Sequence, residues 1–234
     1  MLMETIPIHS IFGPTIQGEG VFIGRPAVFV RVAGCDGRCS WCDTTYARDV
    51  TAETPRLSAL EIVAQIDALP QISQNDLVVL TGGNPMMYPQ VGELVQVFRN
   101  RHRQMHVETQ GTIFQEWIRD VAHVTISPKM LTYKAPVMRK IAALARSAEV
   151  KVVIFGPNED AYSDSWTFLD SVAESFYQYP LTIQIGNPYP GAPVAEQLLE
   201  TYRRIVEHAR KLPHGNLRIL PQMQTLLWLN RPQH

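Results

Sequence analysis

Short continuous apolar runs alternate along this chain with stretches whose apolar residues recur every three to four positions, and the alternation predicts an architecture. The run 27–33 (AVFVRVA) reads as a short buried strand interrupted by one charge, Arg31. Similar runs at 76–81, 105–107, 123–126, 150–155 and 181–185 read as further buried strands. Helical spacing predicts helices over 60–69, about 90–101, 114–120, 136–147 and 165–176, then a long one over about 194–211 followed by the apolar run 217–220. Ser58-Ala59-Leu60-Glu61 forms a capping box that opens the first helix, and Pro70 stops it. Residues 10–26, dense in glycine and proline, read as a loop or hairpin rather than a helix. Strands alternating with amphipathic helices imply a mostly parallel α/β sheet with βαβ crossovers. Polar residues collect where the strands end, at Thr81-Gly82-Gly83, Glu108, Ser127 to Lys129 and Gln184. Barrels and open α/β sheets place their sites there, so one shared pocket is expected. The pattern leaves open whether the sheet is a closed barrel, an open sheet or a partial barrel.

At 234 residues, 45% hydrophobic and 9% aromatic, the chain can bury a sizeable core. It carries no internal repeat, low-complexity tract or linker, so a single domain over 1–234 is expected. The segment from about 217 to the end, with Leu226-Leu227-Trp228-Leu229, should dock on and close the core. Net charge is −1, from 21 basic and 22 acidic side chains, which removes the overall basic field of a nucleic-acid binder and favours small-molecule partners. A low, odd cysteine count, with no signal peptide and no run of 18 apolar residues, fits a reducing cytoplasmic setting without membrane contact. The seven histidines show no paired spacing of a metal site.

All three cysteines fall within eight positions of the segment Gly34-Cys35-Asp36-Gly37-Arg38-Cys39-Ser40-Trp41-Cys42-Asp43-Thr44. Thiolates at this C-x3-C-x2-C spacing can hold three corners of a cuboidal iron–sulfur cluster and leave the fourth iron to a non-protein ligand. Three other readings compete. Zinc needs a fourth ligand, and no histidine is near enough in sequence for a compact site. On a helix, positions 35, 39 and 42 would share one face and could be small core residues, although Gly34 and Gly37 favour a loop. A Cys39/Cys42 redox pair leaves Cys35 without a purpose. The spacing ranks cluster first, zinc second and core packing third.

A C-x3-C-x2-C loop directly after a strand resembles the cluster loop of the radical S-adenosylmethionine (SAM) superfamily. With Thr15-Ile16-Gln17-Gly18-Glu19-Gly20, Arg31 and Cys42-Asp43-Thr44, the chain is similar to the 7-carboxy-7-deazaguanine synthase family of the 7-deazapurine (queuosine-type) pathway. The resemblance implies an α/β fold of the partial (β/α)6-type barrel kind in trimmed form. It also implies conversion of 6-carboxy-5,6,7,8-tetrahydropterin to 7-carboxy-7-deazaguanine by ring contraction with loss of ammonia. The implied cofactors are a [4Fe-4S] cluster on Cys35, Cys39 and Cys42, SAM on the open iron, and Mg²⁺ at Thr44. The cofactors would carry the chemistry, so no side chain is expected to act as nucleophile or general base.

The resemblance gives SAM the segment Trp41, Cys42 and Asp43, the backbone of Gly83, and Glu108 as acceptor for the ribose hydroxyls. Ser127, Pro128 and Lys129 would meet the SAM carboxylate, and Gln184 the adenine. The pterin would meet Ile16, Gln17, Gly18, Glu19, Arg31 and Thr81, with Arg31 gripping its carboxylate. Asn84 stands where the wider superfamily often has Glu, and Gly186-Asn187-Pro188 departs from the family's usual continuation after Gln184. The resemblance further implies a flavodoxin- or ferredoxin-like electron donor and a homodimer. From the residues alone, Thr44 and Ser127 could be helix caps, Glu108 a cap partner and Arg31 a surface partner of Glu19. As whole-protein alternatives, an activating enzyme for a glycyl-radical protein and a zinc-stabilised binding module stand beside the synthase reading.

Overall fold

The computed structural model describes residues 4–155, 165–186 and 195–228. Among the described residues nine strands form one sheet in the order β3-β1-β2-β4-β5-β6-β7-β8-β9. In chain order the elements are β1 (Ile6–Ile16), β2 (Pro26–Val32), β3 (Arg56–Leu57), α1 (Ala59–Asp67), β4 (Leu77–Gly82) and α2 (Val91–Asn100). They continue with β5 (Met105–Thr109), β6 (His123–Ile126), α3 (Ala135–Leu144), β7 (Ala148–Ile154) and α4 (Ser165–Ser175). The last are β8 (Leu181–Ile185), α5 (Ala195–Ala209), β9 (Leu217–Leu220) and α6 (Met223–Trp228). From β2 through β9 every neighbouring pair is parallel, whereas β1 runs antiparallel to β2 and β3 antiparallel to β1. The two edges, β3 and β9, do not pair with each other, so the sheet is a partial barrel.

The expected alternation is present, and two elements differ from it. Residues 10–26 are not all loop: β1 runs to Ile16 and makes a hairpin with β2, keeping its pairing past Gly13 and Pro14 by register shifts between Ile8 and Ser10 and between Phe12 and Thr15. The helix expected over 114–120 is only a short 3-10 turn, Glu116–Asp120. Gln115 is extended there (φ −132°, ψ 136°), with its side-chain amide donating to the Met86 carbonyl at 3.0 Å, which stops a helix from starting at Phe114. Elsewhere the boundaries agree within a few residues, and the Ser58/Glu61 capping box opens α1 as expected. Val194 and Leu229, included in the expected last helix and closing element, lie outside the described residues.

Strand side chains alternate between the two faces of the sheet, and the two faces differ in character. Val28, Val30 and Val32 of β2, Val78 and Leu80 of β4, Val107 of β5 and Val150, Val152 and Ile154 of β7 belong to the main core, together with the buried faces of α1 to α4. On the other face, Ala27, Phe29, Leu77 and Val79 form a small apolar cluster under Phe12 and Phe22. The same face of β5 to β8 is polar: His106 and Glu108, His123 and Thr125, Glu149 and Lys151, Thr182 and Gln184. Among the described residues no helix is long and apolar enough to cross a membrane.

Candidate active site

The polar face is wired into one network. Glu108, near the end of β5, accepts from Thr81 Oγ1 at 2.7 Å and from Gln17 Nε2 at 3.0 Å, and Lys151 Nζ lies 3.8 Å from it. Lys151, on β7, also pairs with Glu19. Burial alone would lower the Lys151 pKa, but the carboxylates of Glu19 and Glu108 hold it above its ordinary value. Burial would likewise raise that of Glu108, and the charge of Lys151 keeps it well below the usual carboxylate range. Glu149 accepts from Thr125 Oγ1 (2.7 Å), Thr182 Oγ1 (2.8 Å) and the Val21 amide (3.1 Å). These contacts bring the loop 17–25 down onto the sheet. Gln184 completes the anchoring, accepting from the Gly20 amide at 3.4 Å and donating to the Leu220 carbonyl at 3.1 Å.

The chain end is tied to the same loop. Gln222 Nε2 and Gln224 Nε2 donate to Glu19 Oε1 at 2.7 and 2.6 Å, and the Met223 amide donates to the Gly18 carbonyl at 3.1 Å. A Cβ at position 18 would lie 2.0 Å from Gln224 Oε1 and 3.2 Å from the Gln224 backbone nitrogen, so a side chain there would push the Gln224 amide away.

The cysteine segment lies beyond the C-terminal end of β2 and is not helical, which removes the shared-helix-face reading of Cys35, Cys39 and Cys42. The three thiols are free and half-buried. Among the described residues no three His, Cys, Asp or Glu side chains converge on a point where one metal ion could bind. Cluster ligands have no such need, because each thiolate of a cuboidal cluster holds a different iron. Burial pushes the Cys35 and Cys39 thiols up, and the charge of Lys129 opposes this at Cys39. Lys129 Nζ stands 5.1 Å from the centre of the Trp41 ring and donates to Ser127 Oγ at 2.7 Å. Its own pKa is lowered, first by burial and then by Lys151. Trp41 packs edge-on against Phe155 at 5.2 Å. Asp43 is open to solvent on one side yet walled by protein, and burial with the charge of Glu19 raises its pKa.

Arg31 and Thr44 complete the surroundings. The Arg31 guanidinium stands 5.8 Å from the ring centres of both Phe12 and Tyr46, and its buried Nε has no hydrogen-bond partner. It does not pair with Glu19, whose partners are Lys151, Gln222 and Gln224. The Thr44 hydroxyl makes no helix-cap bond and lies 3.3 Å from Asp43 Oδ1 and 3.6 Å from Cys42 Sγ. Gly83 passes so near the cysteine segment that a Cβ there would lie 1.8 Å from the Gly34 carbonyl. The structure thus gathers Gln17, Glu19, Thr81, Glu108 and Lys151 in one group, and Trp41, Asp43, Ser127 and Lys129 around the cysteines. Gln184, by contrast, is fully buried and spends its amide on the loop and β9. Lys151, Glu149, Gln222 and Gln224 were not expected. The two charges at 149 and 151, two apart in an apolar strand, were a readable signal of one polar face. Nothing distinguished the glutamines.

The chain matches the radical SAM superfamily over residues 29–131. It is 33% identical to 7-carboxy-7-deazaguanine synthase of Bacillus subtilis (strain 168), covering 98% of this chain and 99% of that protein. The enzyme of the same name from Pyrobaculum aerophilum is also 33% identical, with 96% of each chain covered. The crystal structure of QueE from Escherichia coli shares the fold, with a TM-score of 0.70 at 24% identity and 94% coverage of both chains. A mostly parallel partial barrel with this cysteine loop beyond its first parallel strand defines a radical SAM enzyme. Within that class, the chain belongs to the 7-carboxy-7-deazaguanine synthase family.

Proposed function

We propose that this enzyme converts 6-carboxy-5,6,7,8-tetrahydropterin to 7-carboxy-7-deazaguanine by ring contraction with loss of ammonia. The observation that carries the reading is the match, over nearly the whole of both chains, to enzymes named for that product. The residues agree with it. Cys35, Cys39 and Cys42, half-buried in one loop, would hold the [4Fe-4S] cluster, and SAM would take the fourth iron. Together these cofactors supply the radical that starts the rearrangement. Arg31, flanked by Phe12 and Tyr46 and free of Glu19, would take the substrate carboxylate in a two-pronged grip. Gln17, Glu19 and Thr81, fixed by Glu108 and Lys151, would present fixed polar atoms to the pterin ring. Lys129 and Ser127 suit the SAM carboxylate, and the remaining lone pairs of Glu108 suit the ribose hydroxyls.

Thr44 would provide one oxygen ligand to Mg²⁺, an ion that keeps water and substrate oxygens in its octahedron and needs few protein ligands. A flavodoxin- or ferredoxin-like reductant, a homodimer and a cytoplasmic setting complete the proposal. The test is anaerobic reconstitution with iron and sulfide, followed by incubation with 6-carboxytetrahydropterin, SAM, Mg²⁺ and a strong reductant. The expected product is 7-carboxy-7-deazaguanine, lost together with bound iron in Cys35→Ala, Cys39→Ala and Cys42→Ala. A colourless zinc protein, or SAM cleavage without conversion of the pterin, would overturn the reading.

A further inference from the structure

The side chain of the residue that follows the first cysteine makes more polar contacts than the cysteine's own thiol. The Asp36 carboxylate accepts from Asn84 Nδ2 at 2.7 Å, from Gln110 Nε2 at 2.5 Å and from Thr112 Oγ1 at 2.5 Å. Two of these donors come from the segment after β5 and one from the turn after β4, so two separate parts of the chain meet on one side chain of the cysteine loop. For Asn84 the polarity of the contact is fixed by what lies behind it. Asn84 is fully buried, and its Oδ1 accepts from Thr109 Oγ1 at 2.8 Å and from the Met86 amide at 3.2 Å, so its NH2 end must be the one facing Asp36. Gln110 presents its NH2 end to Asp36 and, at 3.9 Å, to Cys35 Sγ, with its Oε1 3.4 Å from the Thr132 hydroxyl. An ionised carboxylate accepts from all three donors at once and has none to offer back. The loop also runs close against the same amide: a Cβ at Gly37 would lie 2.7 Å from Gln110 Oε1, so a side chain there would disturb the contact with Asp36.

We propose that Asp36 is a positioning residue of the cysteine loop, locked by Asn84, Gln110 and Thr112 so that the loop is ordered before it is loaded and Cys35 receives a fixed hydrogen-bonding environment. The inference rests on the cluster reading of the cysteines only for its second half. A loop ordered in advance loses less freedom when its ligands engage, so iron incorporation should be efficient. Net charge and hydrogen bonds to the sulfurs set cluster potentials, so a fixed negative charge here should hold the potential low.

Two measurements test this with Asp36→Asn, Asp36→Glu and Thr112→Val. In the metal-free protein, hydrogen exchange of the amides of residues 35–43 should speed up by about tenfold or more in Asp36→Asn, because one oxygen becomes an NH2 facing donors and charge-assisted bonds are lost. Exchange in α1 and α2 should stay unchanged. Thr112→Val, which removes one donor and no charge, should give a smaller change in the same amides. In the reconstituted protein the midpoint potential should move positive in Asp36→Asn, stay near that of the parent in Thr112→Val, and return towards it in Asp36→Glu. If loop exchange is unchanged in both Asp36→Asn and Thr112→Val, the positioning role is overturned whatever the loop binds. Should the exchange respond while no cluster can be reconstituted in the parent, the positioning role stands and the cluster reading fails. Faster exchange with an unmoved potential would overturn the proposed environment at Cys35. If Asp36→Asn does not fold, the exchange comparison rests on Thr112→Val alone, and unchanged exchange there overturns the proposal.

Discussion

A guanidinium with aromatic rings on two sides and no hydrogen-bond partner at its buried Nε has an interaction still to make. Arg31→Ala should therefore act on substrate binding: a lost charge-assisted contact costs about 1.5–3 kcal/mol, or about a 10- to 150-fold rise in the pterin dissociation constant. Anaerobic calorimetry checks this, with SAM cleavage in the absence of pterin expected to persist. An unchanged dissociation constant would mean that the carboxylate lies elsewhere. Thr44 is the second case, since its hydroxyl is not used as a cap. Turnover should rise with Mg²⁺ in the parent and lose that dependence in Thr44→Val, with iron content unaffected. Arg31 was legible in the sequence because one charge breaks an apolar strand. Glu149 and Lys151 carry the same signature in β7, where two charges two positions apart mark one polar face of the strand. Asp36 was invisible because its partners lie 48, 74 and 76 positions away.

Among the elements, the turn after β4 does two things at once. Gly82 has φ +123°, a conformation open to glycine, and Gly83 lies against the Gly34 carbonyl with no room for a methyl group. The family resemblance assigned the Gly83 backbone to SAM, and the structure adds a steric reason for glycine there that needs no ligand. Gly83→Ala must push the cysteine loop off the turn, because both colliding partners are backbone. Overpacking of this kind costs about 1–3 kcal/mol, so a fall in stability by urea titration is expected together with less iron per chain after reconstitution. Normal iron content in a destabilised Gly83→Ala would separate the turn from the loop. The parallel strands were readable because each is buried on a continuous apolar face, whereas β1 was not. Its Gly13 and Pro14 signal a break that register shifts absorb while the pairing with β2 continues. The failed helix at 114–120 has a comparable cause, since the tertiary bond from Gln115 to Met86 outweighs a weak local preference.

For the molecule as a whole, a buried proton relay beneath the site sets the response to acid. Thr125 has one hydroxyl proton and gives it to Glu149, so it can only accept from His106 Nε2, 2.7 Å away, and His106 is neutral with its proton on that nitrogen. Burial pushes the His106 pKa down from 6.5 to about 4. Burial would raise the Glu149 pKa, but the His123 ring 3.8 Å away, with hydrogen bonds from Thr125, Thr182 and the Val21 amide, brings it from 4.5 to about 2. The two shifts act with the same sign. Between pH 6.5 and 4 the unfolded chain takes up a proton at His106 that the folded chain refuses, so stability falls as pH falls through that window. Between pH 4.5 and 2 the unfolded chain protonates Glu149 first, and the stability it gives above 4.5 is lost as pH drops towards 2. Each shift corresponds to something on the order of 3 kcal/mol. Urea unfolding of the metal-free protein at a series of pH values should therefore show a continuous acid loss beginning near 6.5, ahead of ordinary carboxylate titration. His106→Gln should start less stable at neutral pH and show a flatter slope down to pH 4, with the lower limb kept. Equal slopes for parent and variant over that upper window would show that His106 does not set the acid limit.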